Sequence, residues 1–179
     1  MKDSVVKEHK KGTKRSCNYV VISVSSSRFA IYGAVSSPED ADDISGEKMI
    51  DMISSEGHYV SKYSLVSDDE ASLIAAVNEA ADSDADIIIT TGGTGLAQAD
   101  VTIESITPLF EKRMPGFGEL FRYKSIAQIG SSVILTRADA GTYKGKAVFC
   151  LPGSPAAVEL ALEAIILPET GHIIKHVLQ

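Results

Sequence analysis

A chain of 179 residues with 44% apolar and 23% charged side chains is long enough for one sizeable core and too short for two ordinary domains, and this composition excludes a disordered or fibrous class. A formal net charge of −7 excludes a body that neutralises a nucleic-acid backbone over a broad basic face. No stretch approaches the roughly 18 apolar residues needed to span a bilayer, and the start lacks the apolar core of a signal peptide, so a cytoplasmic protein is expected, with neither membrane nor nucleic acid as partner.

The two cysteines, Cys17 and Cys150, are too few and too distant in sequence for a disulfide scaffold or a zinc site. In residues 1–17, Lys2, Lys7, Lys10, Lys11, Lys14 and Arg15 are opposed only by Asp3 and Glu8, which reads as a basic N-terminal arm ahead of an acidic single domain over 18–179. Such an arm is a solvated terminus, or it packs on a neighbouring subunit or touches a phosphorylated ligand.

Asn18 to Val24 is dense in β-branched residues and is predicted as the first strand, running into the hydroxyl-rich loop Ser25-Ser-Ser-Arg28. Residues 29–43 hold Gly33, Pro38 and a run of acids and read as irregular. From Ile44 the apolar Met49, Ile50, Met52 and Ile53 fall on one helical side, with Asp43 or Ser45 as cap and Gly57 as stop. A strand over His58 to Val66 follows. Ser67-Asp-Asp-Glu70 fits a capping box, opening a helix whose buried stripe is Leu73, Ile74, Val77 and Ala81. Ile87, Ile88 and Ile89 mark a buried parallel strand. A short helix follows Asp100 and is interrupted near Pro108. Met114 to Glu119 reads as a rigid turn before another helix, Ser132 to Thr136 as a strand, and Ala140 to Gly145 as a connecting turn. The last strand, Ala147 to Leu151, enters Pro152-Gly-Ser-Pro155, with Ser154 as N-cap and Pro155 at the first helical position of a helix that Pro168 ends. Helices between β-rich runs predict an α/β fold with a mostly parallel sheet covered on both faces. Its ligands would then bind at the carboxyl ends of the strands, where the Gly92 and Pro152 turns both lie.

The chemistry concentrates at Asp86 to Thr102. Gly92, Gly93 and Gly95 remove side chains where the strand ends, so backbone amides can approach an anion closely, and Asp100 follows with a carboxylate able to hold a metal. The turn lacks the Gly-Lys-Ser/Thr of a Walker loop, and Gln98 stands where a dinucleotide fingerprint wants its third glycine. Glycines alone would also suit a turn that only needs positive φ. His172 and His176 are spaced to share a helical face, but no third ligand is evident for a zinc site.

Taken in order, Ser25-Ser-Ser-Arg28, Asp43-Ile-Ser-Gly46, Thr90-Thr-Gly-Gly-Thr-Gly95, Asp100-Val-Thr102, Met114-Pro-Gly-Phe-Gly-Glu119, Thr136-Arg137 and Leu151-Pro-Gly-Ser-Pro155 resemble the molybdenum cofactor biosynthesis family MoaB/MogA. The resemblance runs from about Tyr19 to the C-terminus. It implies a three-layer α/β/α fold, a homotrimer or homohexamer, and adenylylation of molybdopterin by Mg-ATP with release of pyrophosphate, ahead of molybdenum or tungsten insertion by a partner protein. It also implies Asp68 and Asp100 as the essential carboxylates and magnesium ligands. Ser27, Arg28, Ser45, Thr91, Gly92, Gly93, Thr94, Gly95, Thr102, Arg137, Pro152, Gly153, Ser154 and Pro155 would then lie around the nucleotide and pterin-phosphate pocket.

Those residue types suit the reaction. Adenylyl transfer needs triphosphate charge spread by a divalent metal, and magnesium takes one or two carboxylates with phosphate oxygens and water. Because the body is acidic, Arg28, Arg137, Lys144 and Lys146 are candidates to compensate the anionic substrates. Two alternatives share the fold: a molybdopterin-binding scaffold without turnover, and another nucleotide-processing enzyme.

Overall fold

The computed structural model describes residues 16–179, so the basic arm lies, for residues 1–15, outside the described residues. The elements are β1 (Asn18–Val24), α1 (Ser26–Tyr32), α2 (Ile44–Ser55), β2 (Tyr59–Val66), α3 (Glu70–Ala81), β3 (Ile87–Thr91) and α4 (Thr102–Ile106). They continue with β4 (Lys112–Arg113), α5 (Pro115–Ile129), β5 (Asp139–Tyr143), β6 (Lys146–Leu151), α6 (Pro155–Ala161) and α7 (Leu167–Val177).

The strands form one six-stranded sheet in the order β2-β1-β3-β6-β5-β4. β2, β1, β3 and β6 run parallel, while β5 and β4 add an antiparallel edge. Alternation along the central strands sends side chains to two separate cores. Tyr19, Val21, Ile87, Ile89, Phe149 and Leu151 pack under α2, α5, α6 and α7, where they meet Met49, Ile53, Phe121 and Val158. Val20, Ile22, Ile88, Val148 and Cys150 pack under α3 and α4, against Leu73, Val77 and Ile106. The result is a three-layer α/β/α fold. Each fully buried isoleucine or leucine of this kind contributes about 1.5–3 kcal/mol relative to exposure.

Register decides where a site can form. Val24 pairs with Val66, Ser23 with Thr91, and Thr91 with Leu151, so the four parallel strands end level with one another. Their outgoing loops therefore share one edge of the sheet.

Several local expectations are corrected. Ser25 to Arg28 is not a loop: the Ser25 hydroxyl accepts from the Arg28 amide at 3.3 Å and caps α1. Asp43 occupies the cap position of α2 without capping it, because its carboxylate accepts from the Tyr63 hydroxyl at 2.8 Å. Pro115 starts α5, so the expected turn at Met114 to Glu119 is its first helical turn. Residues 132–136 are not a strand: Gly130 to Leu135 forms a 3-10 helix, with Gly130 at φ +56° breaking the chain out of α5. The place beside β6 goes to β5, and the turn expected over 140–145 shrinks to Lys144 and Gly145, both at positive φ as a tight hairpin requires. Pro168 does not end the helix. A π-helical segment, Leu162–Ile166, widens the backbone where the proline ring would otherwise meet the carbonyl of Ala164, and the chain continues as α7.

Candidate active site

Four loops converge at the carboxyl edge, and main-chain contacts lock them. The Gly92 amide donates to the Leu151 carbonyl at 3.0 Å, and the Thr91 hydroxyl donates to the Pro152 carbonyl at 3.2 Å. A Cβ on Gly153 would lie 3.1 Å from the Gly92 Cα, so the turns after β3 and β6 touch backbone to backbone. Thr102 closes the glycine turn from below, its amide bonding the Gly93 carbonyl and its hydroxyl the Gly92 carbonyl, each at 2.9 Å. Gly92 and Gly93 hold φ of +103° and +60°, conformations that β-carbon-bearing residues rarely adopt.

Asp68 reaches this turn because its neighbours take the other tasks. The predicted capping box does not form: Asp69, not Ser67, caps α3, accepting from the Ser72 amide at 2.9 Å. Asp68 instead accepts from the Val101 amide at 3.4 Å, while its own amide donates to the Ser26 hydroxyl at 3.0 Å. A Cβ on Gly93 would sit 2.5 Å from Asp68 Oδ1, and one on Gly95 would sit 2.6 Å from Asp100 Oδ2. Both carboxylates thus lie flush against the glycine backbone. Burial pushes the Asp68 carboxyl above its usual range, and the Asp100 charge adds to the rise against the Val101 hydrogen bond. Among the described residues no three His, Cys, Asp or Glu side chains converge, so a cation held by this pair would draw its other ligands from substrate and water.

Gly92, Gly93, Thr94, Gly95, Asp100, Thr136, Arg137, Pro152, Gly153 and Ser154 line a cleft of about 400 Å³, joined by Leu135. Arg137 closes one side: Nε donates to the Thr94 carbonyl at 2.8 Å, and its guanidinium forks onto Glu104. Ser154 caps α6 through the Ala157 amide at 3.3 Å, and Pro155 begins that helix.

Other candidates serve at one remove. Thr91 and Thr102 are buried supports of the turn. Ser45 donates to the Gly153 carbonyl at 2.8 Å, tying α2 to the turn after β6. Ser27 is exposed on α1 and bonds Ser25. Arg28 stands near Tyr63, whose hydroxyl is pushed up by burial and by Asp43, with the guanidinium opposing the rise. Lys144 and Lys146 do not reach the cleft; they bond Asp82 and the Ser83 carbonyl beyond the end of α3. Glu104, the partner of Arg137, carried no sequence signal because the contact spans 33 positions. On α7 the His172 and His176 Nε2 atoms are 3.0 Å apart and line a different cavity.

A three-layer α/β protein with a glycine-floored cleft at its parallel carboxyl edge is the class these features define. The chain belongs to a molybdopterin-binding family: residues 20–172 match the family described as "Probable molybdopterin binding domain". It is 44% identical over 175 residues to the molybdopterin adenylyltransferase of Pyrococcus furiosus, covering 96% of this chain and 97% of the relative. It is 40% identical over 174 residues to molybdenum cofactor biosynthesis protein B of Bacillus subtilis, covering 96% of each. The crystal structure of the tungsten cofactor synthesizing protein MoaB from Pyrococcus furiosus superposes with a TM-score of 0.80 at 41% identity, covering 93% of this chain and 99% of that one. No helix among the described residues is long and apolar enough to cross a membrane.

Proposed function

We propose that this chain adenylylates molybdopterin in molybdenum or tungsten cofactor biosynthesis. A terminal phosphate oxygen of molybdopterin attacks the α-phosphorus of ATP; the bond to the bridging oxygen breaks, and its electron pair leaves with pyrophosphate. The observation that carries the proposal is the meeting of Asp68 and Asp100, from two different strand ends, on one side-chain-free turn. That donor set fits magnesium, which would spread the triphosphate charge when bound. The Gly93 and Gly95 amides, unlike that of Gly92, are available to the phosphates, and Arg137, Pro152, Gly153 and Ser154 line the same cleft. The kinship with a molybdopterin adenylyltransferase supports the same reaction.

The unit that acts is residues 18–179 with the basic arm before it, as a cytoplasmic homotrimer or homohexamer that hands its product to a metal-insertion protein. Tyr123, Ile126 and Ile129 on α5, and Ile134 and Leu135 in the segment after it, are exposed large apolar side chains, which supports self-association. Light scattering at micromolar concentration checks this, and a 19.0 kDa particle would refute it. Pure protein incubated with magnesium, ATP and molybdopterin should yield an AMP adduct by mass analysis. Molybdopterin binding without any adduct would instead make the chain a scaffold, and pyrophosphate release only with other acceptors would make it a different nucleotide enzyme.

A further inference from the structure

A second cavity, of about 290 Å³, adjoins the cleft, and Thr136 and Arg137 line both spaces. Three guanidiniums border it from three separate elements: Arg113 of β4, Arg122 of α5, and Arg137. In an acidic chain this is a local concentration of positive charge. Two of the three are already engaged, Arg113 with Asp139 and Arg137 with Glu104 and the Thr94 carbonyl.

Arg122 is different. It is half-buried, and among the described residues its side chain makes neither a hydrogen bond nor an ion pair. Its guanidinium folds back over Gly118 one turn earlier, where an added Cβ would lie 3.0 Å from Nη1. The same Cβ would lie 2.7 Å from the Ala138 carbonyl, so the helix, the Ala138 backbone and the guanidinium crowd together at this glycine. A half-buried cation without a partner costs free energy that an anionic ligand would offset. Glu119 and Asp139 also line the cavity; Asp139 is tied to Arg113 and Glu104 to Arg137, which leaves Arg122 as the guanidinium that no carboxylate holds among the described residues.

We propose that this cavity is a diphosphate subsite, which receives the pyrophosphate leaving group of the adenylyl transfer. The inference rests on the function proposed above for the adjoining cleft. In that reaction the bond between the α-phosphorus and the bridging oxygen breaks and its electron pair goes to pyrophosphate, so negative charge develops on the leaving side. Guanidiniums pre-placed there act where charge appears, and a leaving group with several anionic oxygens matches a cluster better than a single phosphate does.

The test uses the full chain with magnesium, titrated calorimetrically with pyrophosphate, AMP and the simple monoester phenyl phosphate. Wild type should bind pyrophosphate in competition with ATP. Arg122→Gln should weaken pyrophosphate by about 10-fold or more, as loss of a charge-assisted contact would, with AMP binding unchanged, while Arg122→Lys recovers part of the loss. Unchanged pyrophosphate affinity in both variants overturns the proposal. So does an equal loss of AMP, or a phenyl phosphate affinity that follows Arg122 while pyrophosphate does not, which would assign the pocket to the attacking phosphate. Arg122-dependent pyrophosphate binding without any AMP adduct would keep the subsite and reject the transferase. Adduct formation with pyrophosphate binding insensitive to residue 122 would do the reverse.

Discussion

Asp68 Oδ1 occupies the space that a side chain at Gly93 would need, 2.5 Å from the position of its Cβ. Gly93→Ala therefore sets a methyl against the carboxylate at a φ of +60°. It should cost at least about 1 kcal/mol of stability and most of the activity, since the clash exceeds ordinary replacement effects and the strained backbone adds to it. Gly116→Ala is the control: a Cβ there meets nothing within 4 Å, and the substitution should be neutral or stabilising by about 0.4–1 kcal/mol. Denaturant melts and adduct yield on both variants check the contrast.

Asp68→Asn and Asp100→Asn separate catalysis from folding. Each should lower adenylylation by roughly 100-fold, by analogy with removing one transition-state contact, because asparagine keeps the shape and loses the charge. Near-parental turnover in two folded variants would remove both residues from the mechanism.

The Asp68 shift also fixes the sign of a pH effect. Its folded pKa is raised above the ordinary 3.8, so the unfolded chain ionises first. The group therefore favours folding fully below pH 3.8, and that contribution is lost as pH rises through the folded value. Asp68→Asn should accordingly melt at or above the wild-type temperature at neutral pH, with the advantage fading toward pH 3. Thermal scans across this range would reject the assignment if the advantage grew on acidification.

Ser45→Ala deletes the hydroxyl that holds the Gly153 carbonyl, and a net loss of about 0.5–1.5 kcal/mol is expected. Because the bond positions a cleft wall and touches no reacting atom, KM should rise more than kcat falls. Steady-state kinetics alongside a urea melt measures both.

Burial pushes the Cys150 thiol up to about 12, and the Asp139 charge adds to the rise. Cys17 is buried as well. At pH 8 an aromatic disulfide reagent should leave both thiols unlabelled in the native protein and react with both in denaturant. Rapid native labelling at Cys150 would contradict the packing described for β6.

Much of the fold was legible because its central strands advertise themselves. Ile87 to Ile89 and Asn18 to Val24 are buried on both faces, and the stripes of α2 and α3 keep a helical period. What misled was local chemistry with two good answers. Ser67 and Asp69 are both competent caps, and only the tertiary placement of Asp68 on the glycine turn shows which one is used. Val133, Ile134 and Leu135 look like a strand, yet Asp139 to Tyr143, poor in β-branched residues, takes the sheet position because a two-residue hairpin joins it to β6. The glycine turn and Asp100 were visible as one segment. The Arg137 to Glu104 fork was not, since nothing local couples residues so far apart.

The contact between Gly92 and Gly153 has a consequence for how such a cleft can change. Where two turns meet with no side chains between them, a ligand in the proposed site would meet main-chain geometry that substitution cannot retune without unseating the turns themselves. Selectivity must then be adjusted at the rim, by Leu135, Thr136, Ser154 and the segments that carry them. A directed-evolution library aimed at a new acceptor would gain variants at those positions, while the two glycines would admit none.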